Sequence, residues 1–195
     1  MRKIIVPIAA IIVAAAVLFG VSFMLSDLRA EKHQNEHIET MQLLLPGSTE
    51  FVRETYAGED ENIVSVHKGD TGYVIETVTA GYAGDIRLLI GVNNDGKVTG
   101  LVVKEAHETP GLGNNALTDH VFLSQFLNGE GEFSVATNGA DAFSGATGET
   151  AADASEVDAI TGATVTSKAV VRCVNSAVGY VTGADVSSSA TEWGG

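Results

Sequence analysis

Between residues 62 and 106 apolar and polar positions partly alternate in four runs rich in Val, Ile, Tyr and Thr. Asn62 to Lys68, Gly72 to Ala80, Asp85 to Val92 and Lys97 to Ala106 each fit a strand with one face buried. Asn93-Asn94-Asp95-Gly96 separates the last two and has hairpin-loop chemistry, so the strands are expected to form an antiparallel sheet. The period then changes. Thr118 to Leu127 places Val121, Phe122, Phe126 and Leu127 on one helical face. From Ser167 to about Thr182, Ala169, Val170, Cys173, Val174, Ala177, Val178 and Val181 form a helical stripe. Residues 128–157 are rich in Gly, Ala, Ser and acids and read as loops around a short strand at Glu132 to Ala136.

The beginning of the chain has neither period. Ile4 to Leu25 is 22 positions without a charge, roughly 33 Å of helix and enough to cross a bilayer core. Met1-Arg2-Lys3 before it are basic in sum, and Asp27 and Glu31 follow it. This arrangement predicts a single-pass anchor with its N-terminus in the cytoplasm and the remaining chain outside. A cleaved signal peptide is the alternative, but the apolar run is long for one and no convincing small-residue cleavage site follows. Residues 26–45 continue as a helix, either joined to the span or bent near Ser26, and Pro46-Gly47 stops it. The expected organisation is a cytoplasmic N-terminus at 1–3, a transmembrane helix at 4–25, a juxtamembrane helix at 26–46, an extracytoplasmic domain at 47–184 and a frayed tail at 185–195. The fold class is α+β, an N-terminal span followed by an antiparallel sheet flanked by helices.

Charge and chemistry narrow the function. The 195 residues carry a formal net charge of −14, which argues against nucleic acid as a partner because phosphate contacts need Lys and Arg. Cys173 is the single cysteine. It supplies no intrachain disulfide, thiolate metal cluster or c-type haem site, and its place on the helical stripe marks it as a small buried hydrophobe. His33 and His37 stand four apart on one helical face, but no third ligand accompanies them, so no metal site is assigned. Neither a Ser-His-Asp arrangement nor an H-E-x-x-H motif argues for hydrolysis.

The most informative stretch is Asp158-Ala159-Ile160-Thr161-Gly162-Ala163-Thr164-Val165-Thr166-Ser167, of the form D-x-x-T-G-A-T-x-x-S. With Thr166 or Ser167 as N-cap of the following helix, Thr164 would stand two or three residues before the helix start. Unpaired amides and the positive end of the helix dipole favour an anionic phosphate there. Gly162 and Ala163 leave room for a ligand to approach the backbone. A small-residue turn that merely caps a helix is the plainer reading of the same residues. A near copy, Asp141-Ala142-Phe143-Ser144-Gly145-Ala146-Thr147-Gly148-Glu149-Thr150, ends in Thr instead of Ser and runs into GETAADASEV. That sequence has no apolar stripe and brings acids that would repel phosphate, so Thr164 is preferred to Thr147.

The T-G-A-T stretch matches the flavinylation motif of FMN-binding domains. A second motif, His107-Glu108-Thr109-Pro110-Gly111-Leu112-Gly113, follows the last long strand. Alone it reads as a turn-forming connection. Together with Gly81 to Gly113 (GYAGDIRLLIGVNNDGKVTGLVVKEAHETPGLG), the chain resembles the G subunit of the Rnf (Rsx) electron-transport complex. It is also similar to the C subunit of the sodium-pumping NADH:quinone oxidoreductase. The acidic stretch 139–157 is where it departs most from that pattern.

The resemblance implies that Thr164 carries FMN through a phosphoester bond made by a separate, magnesium-dependent flavin transferase with FAD as donor. It implies that Thr161, Gly162, Ala163, Thr166 and Ser167 surround the phosphate and ribityl chain, and that Glu108, Thr109, Leu112 and Gly113 line the isoalloxazine ring. Tyr82 is a further candidate for packing on the ring, and Asp158 belongs to the stretch the transferase reads. No side chain is assigned a catalytic role of its own. The implied function is that of a membrane-anchored flavoprotein subunit relaying electrons in an ion-translocating ferredoxin:NAD oxidoreductase, with the other Rnf subunits as partners. Two other readings stay open: a free-standing covalent-FMN carrier in extracellular electron transfer, and an unmodified tethered binding or assembly module.

Overall fold

The computed structural model describes residues 37–109, 111, 113–136 and 155–184. The expected span at 4–25, most of the juxtamembrane helix, His33, Pro110, Leu112, Thr147 with its motif, and the tail lie outside them. Among the described residues no helix is long and apolar enough to cross a membrane. The chain divides into two compact units, Met1–Thr40 and Met41–Gly195. Of the first, only residues 37–40 are described, and they are helical.

The second unit opens with helical residues 41–44, which close α1 (residues 37–44). Five strands follow: β1 Val52–Glu54, β2 Ile63–Lys68, β3 Gly72–Ala80, β4 Asp85–Asn93 and β5 Val98–Ala106. They pair in chain order as an antiparallel meander. The alternation in the sequence is the cause. On β3 and β4, Ile75, Leu88 and Ile90 face one core, while Val74 and Leu89 face another. The first core receives α4 (Thr164–Thr182) and the aromatic residues Phe122, Phe126 and Phe133. The second receives Met41, Leu44 and Leu45. A sheet with both faces covered explains why its central strands carry near-continuous apolar runs.

One charge is buried in the sheet. The Glu76 carboxylate takes hydrogen bonds from Arg87 (2.9 Å), Lys104 (3.0 Å) and Ser65 (3.3 Å). Burial alone would push its pKa up, but the two cations beside it outweigh burial and hold it below the usual glutamate range.

Three local expectations change. The helix expected over Thr118 to Leu127 is shorter, α3 at His120–Ser124 with Asp119 as its cap, and a separate short helix, α2 at Gly113–Thr118, precedes it. The Asp119 carboxylate accepts the Val121 and Phe122 amides at 2.8 and 3.3 Å. The 128–157 region holds not only β6 (Phe133–Ala136) but part of β7 (Ser155–Asp158), and the two strands pair in parallel. Asn175 of α4 secures this small sheet, its side chain accepting from the Phe133 amide and donating to the Phe133 carbonyl, both at 2.9 Å. Finally, α4 starts at Thr164 rather than at Thr166 or Ser167.

Candidate functional site

The early start of α4 decides the geometry of the T-G-A-T stretch. Gly162 has φ 81°, a left-handed turn that glycine takes without strain. Ala163 is the N-cap and offers no side-chain hydrogen bond. Thr164 is therefore the first residue of the helix and half-buried, while Thr161 and Gly162 are exposed and Ala163 is buried. The amides of the first turn have no intrahelical partner, and no acid stands in that turn. The helix is long enough for its dipole to favour an anion at this end.

Ser167, expected as a cap, works inside the turn instead. Its hydroxyl accepts the Ile160 amide at 3.2 Å and donates to the Ala163 carbonyl at 3.0 Å, holding the turn against the helix. Asp158 reaches this place as the last residue of β7. Its amide donates to Gln125 Oε1 at 2.8 Å, and its carbonyl accepts from Gln125 Nε2 at 3.4 Å. The backbone pins it and leaves the residue exposed.

The second motif meets the first here. After β5, Glu108 and Thr109 are half-buried, and Gly113 begins α2, which packs on α4. Thr166 is 1 % exposed, and its hydroxyl has no hydrogen-bond partner. Glu108 Oε2 is likewise buried without a partner. A β-carbon placed on Gly113 would run into Glu108 Oε2 and lie 2.7 Å from Thr166 Oγ1. The other carboxylate oxygen, Oε1, accepts the Tyr82 amide at 2.7 Å. Three segments far apart in sequence thus converge: the 81–84 turn, the loop after β5 and the first turn of α4. Tyr82 itself is 70 % exposed. Leu112 lies outside the described residues.

Sequence reasoning passed over two contributors. Gln125 holds Asp158 as described. Arg172 donates to the Ala80 carbonyl at 3.2 Å and ties α4 to the start of the 81–84 turn. Arg172 stands about 80° round α4 from Thr164, and no sequence signal marked it.

Residues 81–179 match the family model described as FMN-binding domain. The chain belongs to the FMN-binding domain family. The matched span begins at the glycine of the 81–84 turn and ends near the close of α4, so it takes in all three converging segments. FMN is accordingly the cofactor. Among curated relatives, the chain is 33 % identical over 172 residues to the G subunit of the proton-translocating ferredoxin:NAD(+) oxidoreductase complex of Clostridium ljungdahlii, covering 87 % of this chain and 85 % of the relative. It is 33 % identical over 195 residues to the G subunit of the ion-translocating oxidoreductase complex of Methanosarcina acetivorans, with coverage of 92 % and 93 %. The G subunit of the Na(+)-translocating ferredoxin:NAD(+) oxidoreductase complex of Acetobacterium woodii is 30 % identical, with coverage of 85 % and 84 %. The crystal structure of the C subunit of the Na(+)-translocating NADH-quinone reductase of Parabacteroides distasonis shares the fold, with a TM-score of 0.51 at 24 % identity over 79 % of this chain and 95 % of that one.

The residues of this FMN-binding domain fit the group. A helix start with unpaired amides suits the phosphate, and a half-buried hydroxyl stands at its first position. Buried polar atoms are rarely left without partners. Two orphan oxygens beside a glycine whose β-carbon would have to push Glu108 aside are the mark of a corner shaped for polar company. A carboxylate oxygen takes a donor, which ribityl hydroxyls and the flavin ring N–H supply and a phosphate dianion does not.

Proposed function

We propose that this chain is the membrane-anchored flavoprotein subunit of an Rnf-type ion-translocating ferredoxin:NAD oxidoreductase, with FMN joined covalently to Thr164. The position of Thr164 carries the reading: it is the first residue of α4, half-buried, in an uncapped and acid-free first turn. Around it, Thr161, Gly162, Ala163, Thr166 and Ser167 would hold the phosphate and ribityl chain. Glu108, Thr109, Leu112, Gly113 and Tyr82 would stand toward the ring.

Loading would join Thr164 Oγ to the phosphorus of the FMN half of FAD as the bond to the AMP half breaks. AMP leaves, and the hydroxyl proton passes to a base of the flavin transferase. Once bound, the flavin supplies one- and two-electron chemistry. The protein's part is to hold it in place. The first-turn amides of α4 would hold the phosphate. The Ser167 bonds to Ile160 and Ala163 keep the T-G-A-T turn fixed. Arg172 and Glu108 hold the 81–84 turn beside it. Substrates would bind other subunits, so the isolated chain is expected to show no turnover with them.

The apolar run at residues 4–25 supports an uncleaved anchor with the domain outside the cytoplasm. Covalent attachment suits that compartment, where dissociated FMN would be lost. The test is electron transfer from reduced ferredoxin to NAD in membranes whose complex carries wild type or Thr164→Ala. Loss of transfer in the variant, with the complex still assembled, supports the reading. Undiminished transfer contradicts it.

A further inference from the structure

Glu108 lies between two glycines that leave its carboxylate no room to spare. A β-carbon on Gly81 would collide with Oε1, and one on Gly113 with Oε2. Oε1 accepts the Tyr82 amide at 2.7 Å. Oε2 is buried beside the buried Thr166 hydroxyl, and neither has a hydrogen-bond partner. The 81–84 turn and Glu108, just after β5, are joined through this one side chain, and its second oxygen lies near Thr166 in the first turn of α4 without bonding to it.

We propose that Glu108 is a positioning residue, a two-armed brace. One arm fixes the Tyr82 backbone through a hydrogen bond, and the other, unbonded, fills the space beside Thr166 and limits how closely the first turn of α4 approaches. A single carboxylate then sets how the 81–84 turn faces the anchor threonine. The brace acts through protein groups, so it differs from a residue that merely touches the ring. Its effect on a flavin rests on the FMN reading above; its first arm does not.

Glutamine preserves the brace. Its side-chain oxygen keeps the Tyr82 bond, and its amide can donate to Thr166 Oγ1 in nearly the same volume. Alanine removes both arms. The experiment uses the full chain in detergent, made with and without an active flavin transferase, as wild type, Glu108→Ala, Glu108→Gln and Gly113→Ala. Hydrogen exchange is read on the peptide containing Tyr82 in flavin-free protein. Visible circular dichroism and fluorescence anisotropy of the flavin are read in loaded protein.

Glu108→Ala should speed exchange at Tyr82 about tenfold, the effect of one lost hydrogen bond. It should also alter the flavin dichroism and lower the anisotropy. Glu108→Gln, whose side-chain oxygen still accepts the Tyr82 amide, should match wild type in the exchange readout. Gly113→Ala, which drives Oε2 away while keeping the carboxylate, should resemble Glu108→Ala and stands in for it if that variant does not fold. Unchanged exchange at Tyr82 in both Glu108→Ala and Gly113→Ala overturns the brace, as does a Glu108→Gln variant as impaired as alanine. A wild-type chain that takes no flavin overturns the FMN reading alone, because the exchange measurement needs no cofactor.

Discussion

The two ends of α4 are built for different purposes. The C-terminal end is closed. Gly183 takes the left-handed conformation (φ 69°) and its amide returns to the Gly179 carbonyl at 2.9 Å. Tyr180 donates to Glu54 at 3.0 Å and meets Tyr56 and Tyr73 edge to face. The N-terminal end is open. Ala163 supplies no side-chain cap, Thr161 and Gly162 are exposed, and the Thr166 hydroxyl is buried without a partner. A helix anchored at one end can leave its other end underused for stability and available for chemistry, as functional sites commonly do.

If the contrast is real, changes to the shared middle should harm both ends, and changes to either end should be separable. Phe126 is fully buried and packs on Phe122 and Phe133. Phe126→Ala should cost about 3–5 kcal/mol in denaturant unfolding and reduce flavin retention as well. Gly113→Val comes next, because its side chain would press Glu108 and Thr166 apart. It should cost about 1–3 kcal/mol and sharply reduce flavin loading, read as absorbance per mole of protein. Gly183→Ala forces a side chain into a left-handed cap. It should cost about 1–2 kcal/mol and leave flavin loading unchanged; a loss of loading would break the contrast.

Tyr180→Phe should have the smallest effect at neutral pH, about 1 kcal/mol, and sharpen the comparison through pH. Burial, with the neighbouring Glu54 carboxylate adding to it, pushes the Tyr180 hydroxyl up to about 12. The folded value lies above the ordinary tyrosine value near 10. The stability it contributes is therefore present below pH 10 and lost as pH rises toward 12. Thermal melts between pH 9 and 12 should show a fall in the wild type that is shallower in Tyr180→Phe.

Much of this was legible in the residues, for reasons that also explain what was missed. Strands β2 to β5 carry β-branched residues with partial alternation, and Asn93 to Gly96 is a turn few other structures would choose. Cys173 is fully buried as its place on the stripe predicted, and burial pushes its thiol up to about 12. β7 was hidden because Ser155-Glu156-Val157-Asp158 holds one apolar residue and pairs in parallel with a strand distant in sequence. The start of α4 lies earlier than a hydroxyl cap would place it, because Ala163 caps the helix with no side-chain signal. Of the candidate site, the two motifs were visible separately. That Glu108, Gly113, Tyr82 and Thr166 meet depends on the crossing of β5, α2 and α4, which no local pattern encodes.

The central claim is that the open end of α4 carries the cofactor. Peptide mass mapping of the full chain, made together with an active flavin transferase, tests it most directly. The account predicts a gain of one FMN less one water on the peptide containing Thr164, absent in Thr164→Ala. The same gain on the peptide containing Thr147, or on neither, would contradict it.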